Sequence, residues 1–346
     1  RIIKVAIKAD DPTITKQSVL PPANLVFLVD VSGSMSDNDK LPLVKSSLKM
    51  LTKQLRAQDT ISIVTYAGRT QVTLPATKGS DTDKILAAID SLDASGSTNG
   101  EAAIKLAYQQ AKIHYKKDGI NRILMMTDGD FNVGVSDVDE MLDIIRRERD
   151  SGVSLSTFGF GEGNLNDHMM EQVADNGNGN YSYIDSLSEA KKALVDEMSA
   201  TFNTVAKDVK VQVEFNPHTV KEWRLIGYEN RVLAKEDFNN DKVDAGELGA
   251  GKSVVALFEI TPVGQQGWLD DSRYQAYPIN HTGKNTELGF LKLRYKAPNS
   301  NTSTLLTLPI SNQTQKPSSE LAFALSVASF GETLKQSKYI GNWQLN

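Results

Sequence analysis

From Ala23 to about Thr204, short apolar runs alternate with longer amphipathic stretches. NLVFLVDVS (24–32), TISIVTYAG (60–68), RILMMTDGD (122–130) and VSLSTFGFG (153–161) read as buried strands, and NYSYID (180–185) as a weaker one. Between them, apolar residues at three- and four-residue spacing predict helices over 40–57, 81–92, 98–117, 136–150, 165–175 and 186–203. In the first of these Leu41, Val44, Leu48, Leu51 and Leu55 keep the spacing. Alternating strands and helices of this length predict an α/β, doubly wound, mostly parallel sheet covered on both faces. QVTLP (71–75), close behind the second strand, adds an antiparallel edge hairpin.

After about Lys207 the period changes. KVQVEF (210–215) and LGFLKLRY (288–295) alternate apolar and polar, while SVVALFEITPV (253–263) and STLLTLPIS (303–311) are rich in Val, Leu and Thr. This pattern predicts a mainly antiparallel β-domain with one wetted face, closed by a C-terminal helix from Pro317 whose Ala/Ser-rich face would allow close packing. Trp223, Trp268 and Trp343 all fall here. IIKVAIKA (2–9) also alternates and is assigned to the same domain. The expected organisation is therefore 1–20 as a strand segment of the β-domain, 21–204 as the α/β domain, and 205–346 as the β-domain with its helix.

Composition narrows the chemistry. The net charge of −5 and the absence of a long Lys/Arg block disfavour nucleic acid as a partner. No apolar run has the roughly 18 residues of a membrane span. There is no Cys, so disulfides and thiolate sites are excluded. His114, His168, His218 and His281 are too scattered for a zinc hydrolase. The chain opens on Arg1 rather than Met and reads as a fragment of a longer protein, so a missing signal peptide or anchor carries no weight.

LVFLVDVSGSMSD (25–37) is the most informative stretch. An apolar strand ends in Asp30, and Ser32 and Ser34 follow at alternate positions. A buried carboxylate is costly unless paired. Thr98 lies in a second polar loop, SGSTNGE, and Asp128 ends the apolar strand RILMMTDGD. Ligand sites in open α/β sheets form beyond the carboxyl ends of strands, where the strand order reverses. Carboxylates, hydroxyls and water suit a hard divalent cation, Mg2+ or else Mn2+ or Ca2+. The alternation of Asp30, Ser32 and Ser34 lets one extended turn present all three side chains together, and two carboxylates at neighbouring strand ends would repel one another without a cation.

D-x-S-x-S, a downstream Thr in a Ser/Gly loop and a later T-D-G resemble the metal-ion-dependent adhesion site (MIDAS) of von Willebrand factor type A (VWA) domains. Asp30, Ser32, Ser34, Thr98 and Asp128 carry the match. Wider phrases, among them KLPLVKSSLKML, TDGDFNVGVSD and LIGYENRVLAKEDFNNDKVDAGELGAGKSVVALFEI, look similar to the bacterial YfbK-type VWA proteins and extend the likeness through the β-domain. The resemblance implies a VWA fold and no catalysis. It also implies a cell-envelope setting, possible in some members through a lipid anchor, and a protein partner that offers an Asp or Glu carboxylate to the bound metal.

Plainer readings exist for each part. Thr98 and Glu101 form a T-x-x-E capping box. Asp128 and Asp130 flank Gly129 as a turn would. DFNNDKVDAGE (237–247) resembles a calcium loop, but its sixth and twelfth positions hold Lys242 and Leu248, so it reads as an acidic turn. Two other functions compete with metal-dependent docking. One is an assembly factor beside an AAA+ ATPase, as some bacterial VWA proteins are; the chain has no P-loop of its own. The other is a Mg2+-dependent phosphohydrolase, which would want Asp where Ser32 stands.

Overall fold

A computed structural model describes residues 1–10, 21–96, 100–129, 138–163, 165–196, 204–228, 232–241, 243, 245–269, 286–298 and 300–340. It falls into two compact units, one of Thr13–Asn203 and one joining Arg1–Pro12 to Thr204–Asn346. The strands in chain order are β1 (Ile2–Lys8), β2 (Ala23–Asp30), β3 (Thr60–Tyr66), β4 (Thr70–Lys78), β5 (Ile120–Thr127), β6 (Ser154–Phe160), β7 (Tyr181–Ile184), β8 (Thr204–Phe215), β9 (Val220–Ile226), β10 (Gly246–Gly249), β11 (Ser253–Pro262), β12 (Glu287–Lys296) and β13 (Ser303–Ser311). The helices are α1 (Leu41–Thr52), α2 (Thr82–Asp90), α3 (Gly100–Ile113), α4 (Val138–Arg149), α5 (Asp167–Asn176), α6 (Leu187–Lys191) and α7 (Ser319–Leu334).

In the first unit six strands lie in the order β4-β3-β2-β5-β6-β7. β3, β2, β5, β6 and β7 run parallel, and β4 is the antiparallel edge. Every residue of β2 is buried, because successive side chains feed opposite faces. Leu25, Phe27 and Val29 join Leu48 and Leu51 of α1 and Ile85 and Ile89 of α2 in one core. Val26 and Leu28 join Ala103, Ile104 and Tyr108 of α3, Ile145 of α4 and Val173 of α5 in the other. The chain leaves β2 toward β3 on one side and returns to β5 on the other, so the order reverses between β2 and β5. The crevice of a doubly wound sheet therefore opens where Asp30 and Thr127 end their strands.

α1 stops at Thr52 rather than 57, because the next residues turn so that Arg56 can reach Asp59. Buried Asp59 accepts hydrogen bonds from the backbone N–H of Ala23 (2.9 Å) and Arg56 (2.8 Å), and from the Arg56 guanidinium (2.7 and 3.0 Å). This network fixes the start of β2 beside that of β3. Among the described residues no helix is long and apolar enough to cross a membrane.

The second unit holds two antiparallel sheets, β1-β11-β9 and β10-β8-β12-β13. β1 pairs with β11 in an unbroken register from Ile2–Glu259 to Lys8–Ser253. Val220, Ile260 and Leu288 form one small core and Ala9, Ala206 and Leu248 another. The tail helix departs from the sequence reading in its packing, since none of its residues is buried. It is attached by charge instead, through Lys4–Glu320 and Arg224–Glu332, each at 3.0 Å. The acidic turn that resembled a calcium loop lies partly outside the described residues, and several of its described oxygens are already engaged. Lys210 donates to the carbonyls of Asp237 and Asn240, and Lys296 to that of Asp241. Arg294 donates to Asn239 and Asp241 at 3.0 and 2.8 Å.

Burial opposes the charge of Asp59, but its donors outweigh that effect and hold its carboxyl below the ordinary range. Its contribution to stability is therefore present above the unfolded value of about 3.9 and is lost as pH falls through the lower folded value. Asp59→Ala should lower the stability of this unit by about 3 kcal/mol at neutral pH. The deficit should shrink in acid. Urea melts at neutral and acid pH check both, and a deficit independent of pH would contradict the assignment.

Candidate functional site

Asp30 is fully buried at the end of β2. Its Oδ1 accepts the backbone N–H of Ser32 at 2.9 Å, and its Oδ2 accepts the hydroxyl of Thr127 at 2.9 Å. Thr127 ends β5, and its oxygen also accepts the backbone N–H of Gly129 at 3.1 Å. Asp30 thus ties the two strand ends together and supports the turn behind them. Gly129 has φ +83°, and a Cβ there would lie 2.6 Å from the backbone N of Asn166, so only glycine fits.

The segment after Asp30 does not stay extended, as the alternation had suggested. Ser32 is extended, but Gly33–Ser36 winds into a 3-10 turn closed by Met35 N–H to the Ser32 carbonyl at 3.0 Å. Gly33 N–H bonds the Gly96 carbonyl at 3.1 Å, and fully buried Met35 anchors the turn in the core. The winding brings Ser32 Oγ and Ser34 Oγ to 3.0 Å from each other.

Asp128 is buried, and its Oδ2 accepts from Lys40 Nζ at 3.1 Å. The same ammonium donates to the Ser34 carbonyl at 3.0 Å and lies 4.0 Å from Asp37. The Lys40 side chain is 7% exposed. Its stem runs against Gly161, where a Cβ would meet Lys40 Cε at 2.5 Å. The repulsion between the two carboxylates, used above to argue for a metal, is thus partly answered by the chain's own ammonium.

Asp30, Ser32, Ser34 and Asp128 therefore belong to one connected cluster, joined through Thr127 and Lys40. Thr98 lies outside the described residues. Lys40 and Thr127 went unrecognised in the sequence. A signal for Lys40 existed: Pro42 marks the first turn of α1, which puts a lysine at the N-cap, at the positive end of the helix dipole and where Ser, Asp or Asn is preferred. Among the described residues no three acidic or imidazole side chains cluster, so a cation here would rely on hydroxyl ligands.

The strand ends behind the turn are buried. Tyr66, paired in register with Asp30, is fully buried, and burial aided by the charge of Asp30 pushes its hydroxyl well above its ordinary value. Burial likewise raises the Asp30 carboxyl. The bonds from Ser32 and Thr127 pull it back, and the charge of Asp128 adds to the rise. A cleft of about 560 Å3 opens beside the turn, lined by Val31, Thr65, Arg69, Thr73, Asp93 and Gly96.

Residues 24–197 match the model of the von Willebrand factor type A domain. The chain belongs to the VWA domain family. Beyond its VWA domain, residues 200–346 match a model described as "Uncharacterized protein YfbK, C-terminal". The chain is 51% identical over 346 residues to the uncharacterized protein YfbK of Escherichia coli, covering 99% of this chain and 60% of that protein. An uncharacterized Synechocystis protein is 28% identical over 335 residues, covering 94% of this chain and 74% of its own. A solved von Willebrand factor type A structure from Catenulispora acidiphila superposes with a TM-score of 0.55 at 13% identity, over 97% of this chain and 76% of that one. That likeness shows the fold: a mostly parallel VWA sheet accompanied by antiparallel sheets and a C-terminal helix.

The raised carboxyl gives the VWA domain a pH signature. Because the folded value of Asp30 exceeds the unfolded one of about 3.9, the folded state holds the extra proton, and stability is lost as pH rises through the folded value. In EDTA, the stability of Asp30→Asn relative to the native chain should therefore increase from about pH 4 upward. Denaturant melts at a series of pH values check this, and parallel pH profiles would refute it.

Proposed function

We propose that the VWA domain is a divalent-cation-dependent protein-binding module. The hydroxyl pair carries the reading. Ser32 Oγ and Ser34 Oγ stand 3.0 Å apart, the edge length of an octahedron whose metal–oxygen bonds are about 2.1 Å. Ser32, Ser34 and Thr98 would hold the ion, Mg2+ or else Mn2+ or Ca2+, with Asp30 and Asp128 behind them. Such an ion would supply an electrophilic centre for an Asp or Glu carboxylate of a protein partner. Asp30 already accepts two protein donors, so its part is to orient Ser32 and Thr127 and to hold ligand water rather than to contribute a direct bond. Neutral hydroxyls in direct contact leave more positive charge for the partner than two carboxylates would.

The cleft beside the turn offers room for the partner's flanking residues, with Arg69 and Asp93 on its walls. Binding rather than phosphoryl transfer is favoured because Asp30, engaged at both oxygens inside the sheet, is badly placed as a nucleophile. The similarity to YfbK-type proteins suggests work in the cell envelope, with the β-domain adding a second contact surface.

Metal titration tests the reading. At ~100 times its dissociation constant, a ligand of the folded state adds about 2.7 kcal/mol, a rise of roughly 5–10 °C in melting temperature for a domain of this size. Mg2+ or Mn2+ should produce the rise, and Ser34→Ala and Asp30→Ala should remove it. Proteins captured from an envelope extract should be released by EDTA and lost with Ser34→Ala. An equal thermal shift in Ser34→Ala would place the ion elsewhere.

A further inference from the structure

We infer that Lys40 sets the balance between metal and partner at this site: by neutralising Asp128 it weakens metal binding and preserves the positive charge that draws the partner's carboxylate. The inference rests on the cation-dependent reading above. Its basis is the geometry of one ammonium. Lys40 Nζ lies 3.1 Å from Asp128 Oδ2 and 3.0 Å from the Ser34 carbonyl, on a side chain 7% exposed. It thus bridges the serine turn and the end of β5, both of which border any ion held by the hydroxyls.

Two ionised carboxylates without Lys40 would match a divalent ion, leaving nothing to attract a third. The buried groups Asp30, Asp128 and Lys40 together carry a net charge of minus one, which a divalent ion raises to plus one, while Asp37, 4.0 Å from the ammonium, is exposed to solvent that screens it. Coulomb repulsion between ammonium and ion weakens metal binding. The residual positive charge, in a site bordered by buried and apolar groups, strengthens the attraction for an incoming acid. Lys40 also occupies an unfavourable helix position, the N-cap at the positive end of α1. Gly161 leaves the space through which its stem passes. A residue needed only to begin α1 would be Ser, Asp or Asn, and none of these could reach Asp128 as an ammonium does.

A purely structural clamp predicts the opposite outcome. If Lys40 merely holds the Ser34 turn against Asp128, its removal disorders the ligands and weakens metal binding. If its charge governs the site, removal strengthens it. Lys40→Gln keeps a hydrogen-bond donor but no charge, Lys40→Met removes both, and Lys40→Arg keeps the charge. Calorimetric titration of Mn2+ into the whole chain should give binding about tenfold tighter for Lys40→Gln than for the native chain, a change of 1.4 kcal/mol. Lys40→Met should show the same direction, and Lys40→Arg should stay near the native value. Acetate serves as the model carboxylate, with ionic strength held by chloride. It should strengthen Mn2+ binding more in the native chain than in Lys40→Gln.

Ser34→Ala is the control that separates the two readings. Mn2+ binding that is lost in Ser34→Ala but unchanged or weaker in Lys40→Gln and Lys40→Met would overturn the role of Lys40 and leave the metal site standing. Binding that survives Ser34→Ala, or its absence from the native chain, would remove the metal site and the inference with it. A melting profile of each variant in EDTA confirms which of them are folded, and Lys40→Gln, which still satisfies Asp128, decides the matter where Lys40→Met is unstable.

Discussion

Two carboxylates at the ends of neighbouring buried strands are the constraint around which the VWA domain is arranged. Asp30 and Asp128 are both almost wholly withdrawn from solvent, and a buried charge is tolerated only with donors or counter-charges at hand. The chain answers for each differently. Asp30 receives neutral donors, the Ser32 amide and the Thr127 hydroxyl. Asp128 receives an ammonium. The serine turn, the glycine at 129 and the unusual start of α1 follow from these two solutions. What remains is a cluster with one negative charge more than positive, facing a crevice.

The sheet makes that arrangement possible by fixing where strands end. β2 is apolar on both faces because helices cover both, and its polar side chains, Asn24 and Asp30, fall near its two ends, where partners can reach them. β2 and β5 are adjacent and parallel, in register from Ala23–Ile120 to Val29–Met126, so Asp30 arrives beside Thr127 without any loop having to position it. A site built this way is held by core packing. Removing methylenes from Phe27 or Val29 would therefore loosen the strand end as well as the core.

The fold was largely legible because its signals are periodic. The apolar runs that become β2, β3, β5 and β6, and the three- and four-residue spacing of α1, read directly from the chain. Asp30, Ser32, Ser34 and Asp128 were also visible, since a carboxylate that ends an apolar run is conspicuous. Lys40 was not. A lysine beside Asp37 and Asp39 reads as solvated surface, and only the path of its stem past Gly161 turns it inward. Thr127 was hidden by the strand that contains it. α7 misled in the other direction: its Ala and Ser positions suggest close packing, yet Phe323 and Phe330 remain exposed and charge pairs tether the helix. Tertiary context, which decides whether a small-residue face finds a partner, leaves no mark in local sequence.

The second unit shows what a closed acidic cluster looks like, and the contrast clarifies the first. Around its acidic turn, Asp208 and Asp241 meet Arg294 and Lys296, Lys210 binds the turn carbonyls, and Ser303 donates to Asp241. The Ser303 bond, helped by Arg294 and Lys296, holds the Asp241 carboxyl below its ordinary value. Three cations, Lys210, Arg294 and Lys296, donate to the carboxylates and carbonyls of this turn, so several oxygens that might have gathered around calcium already accept hydrogen bonds from the chain. At the buried strand ends of the VWA domain a single ammonium, Lys40, stands beside Asp128, while Asp30 has neutral donors and the Ser32 and Ser34 hydroxyls lie together next to it. Resemblance to an ion-binding loop is therefore a weaker guide than the count of charges that the fold itself supplies. A turn with its cations built in is structural, whereas a cluster left one charge short can accept one from outside.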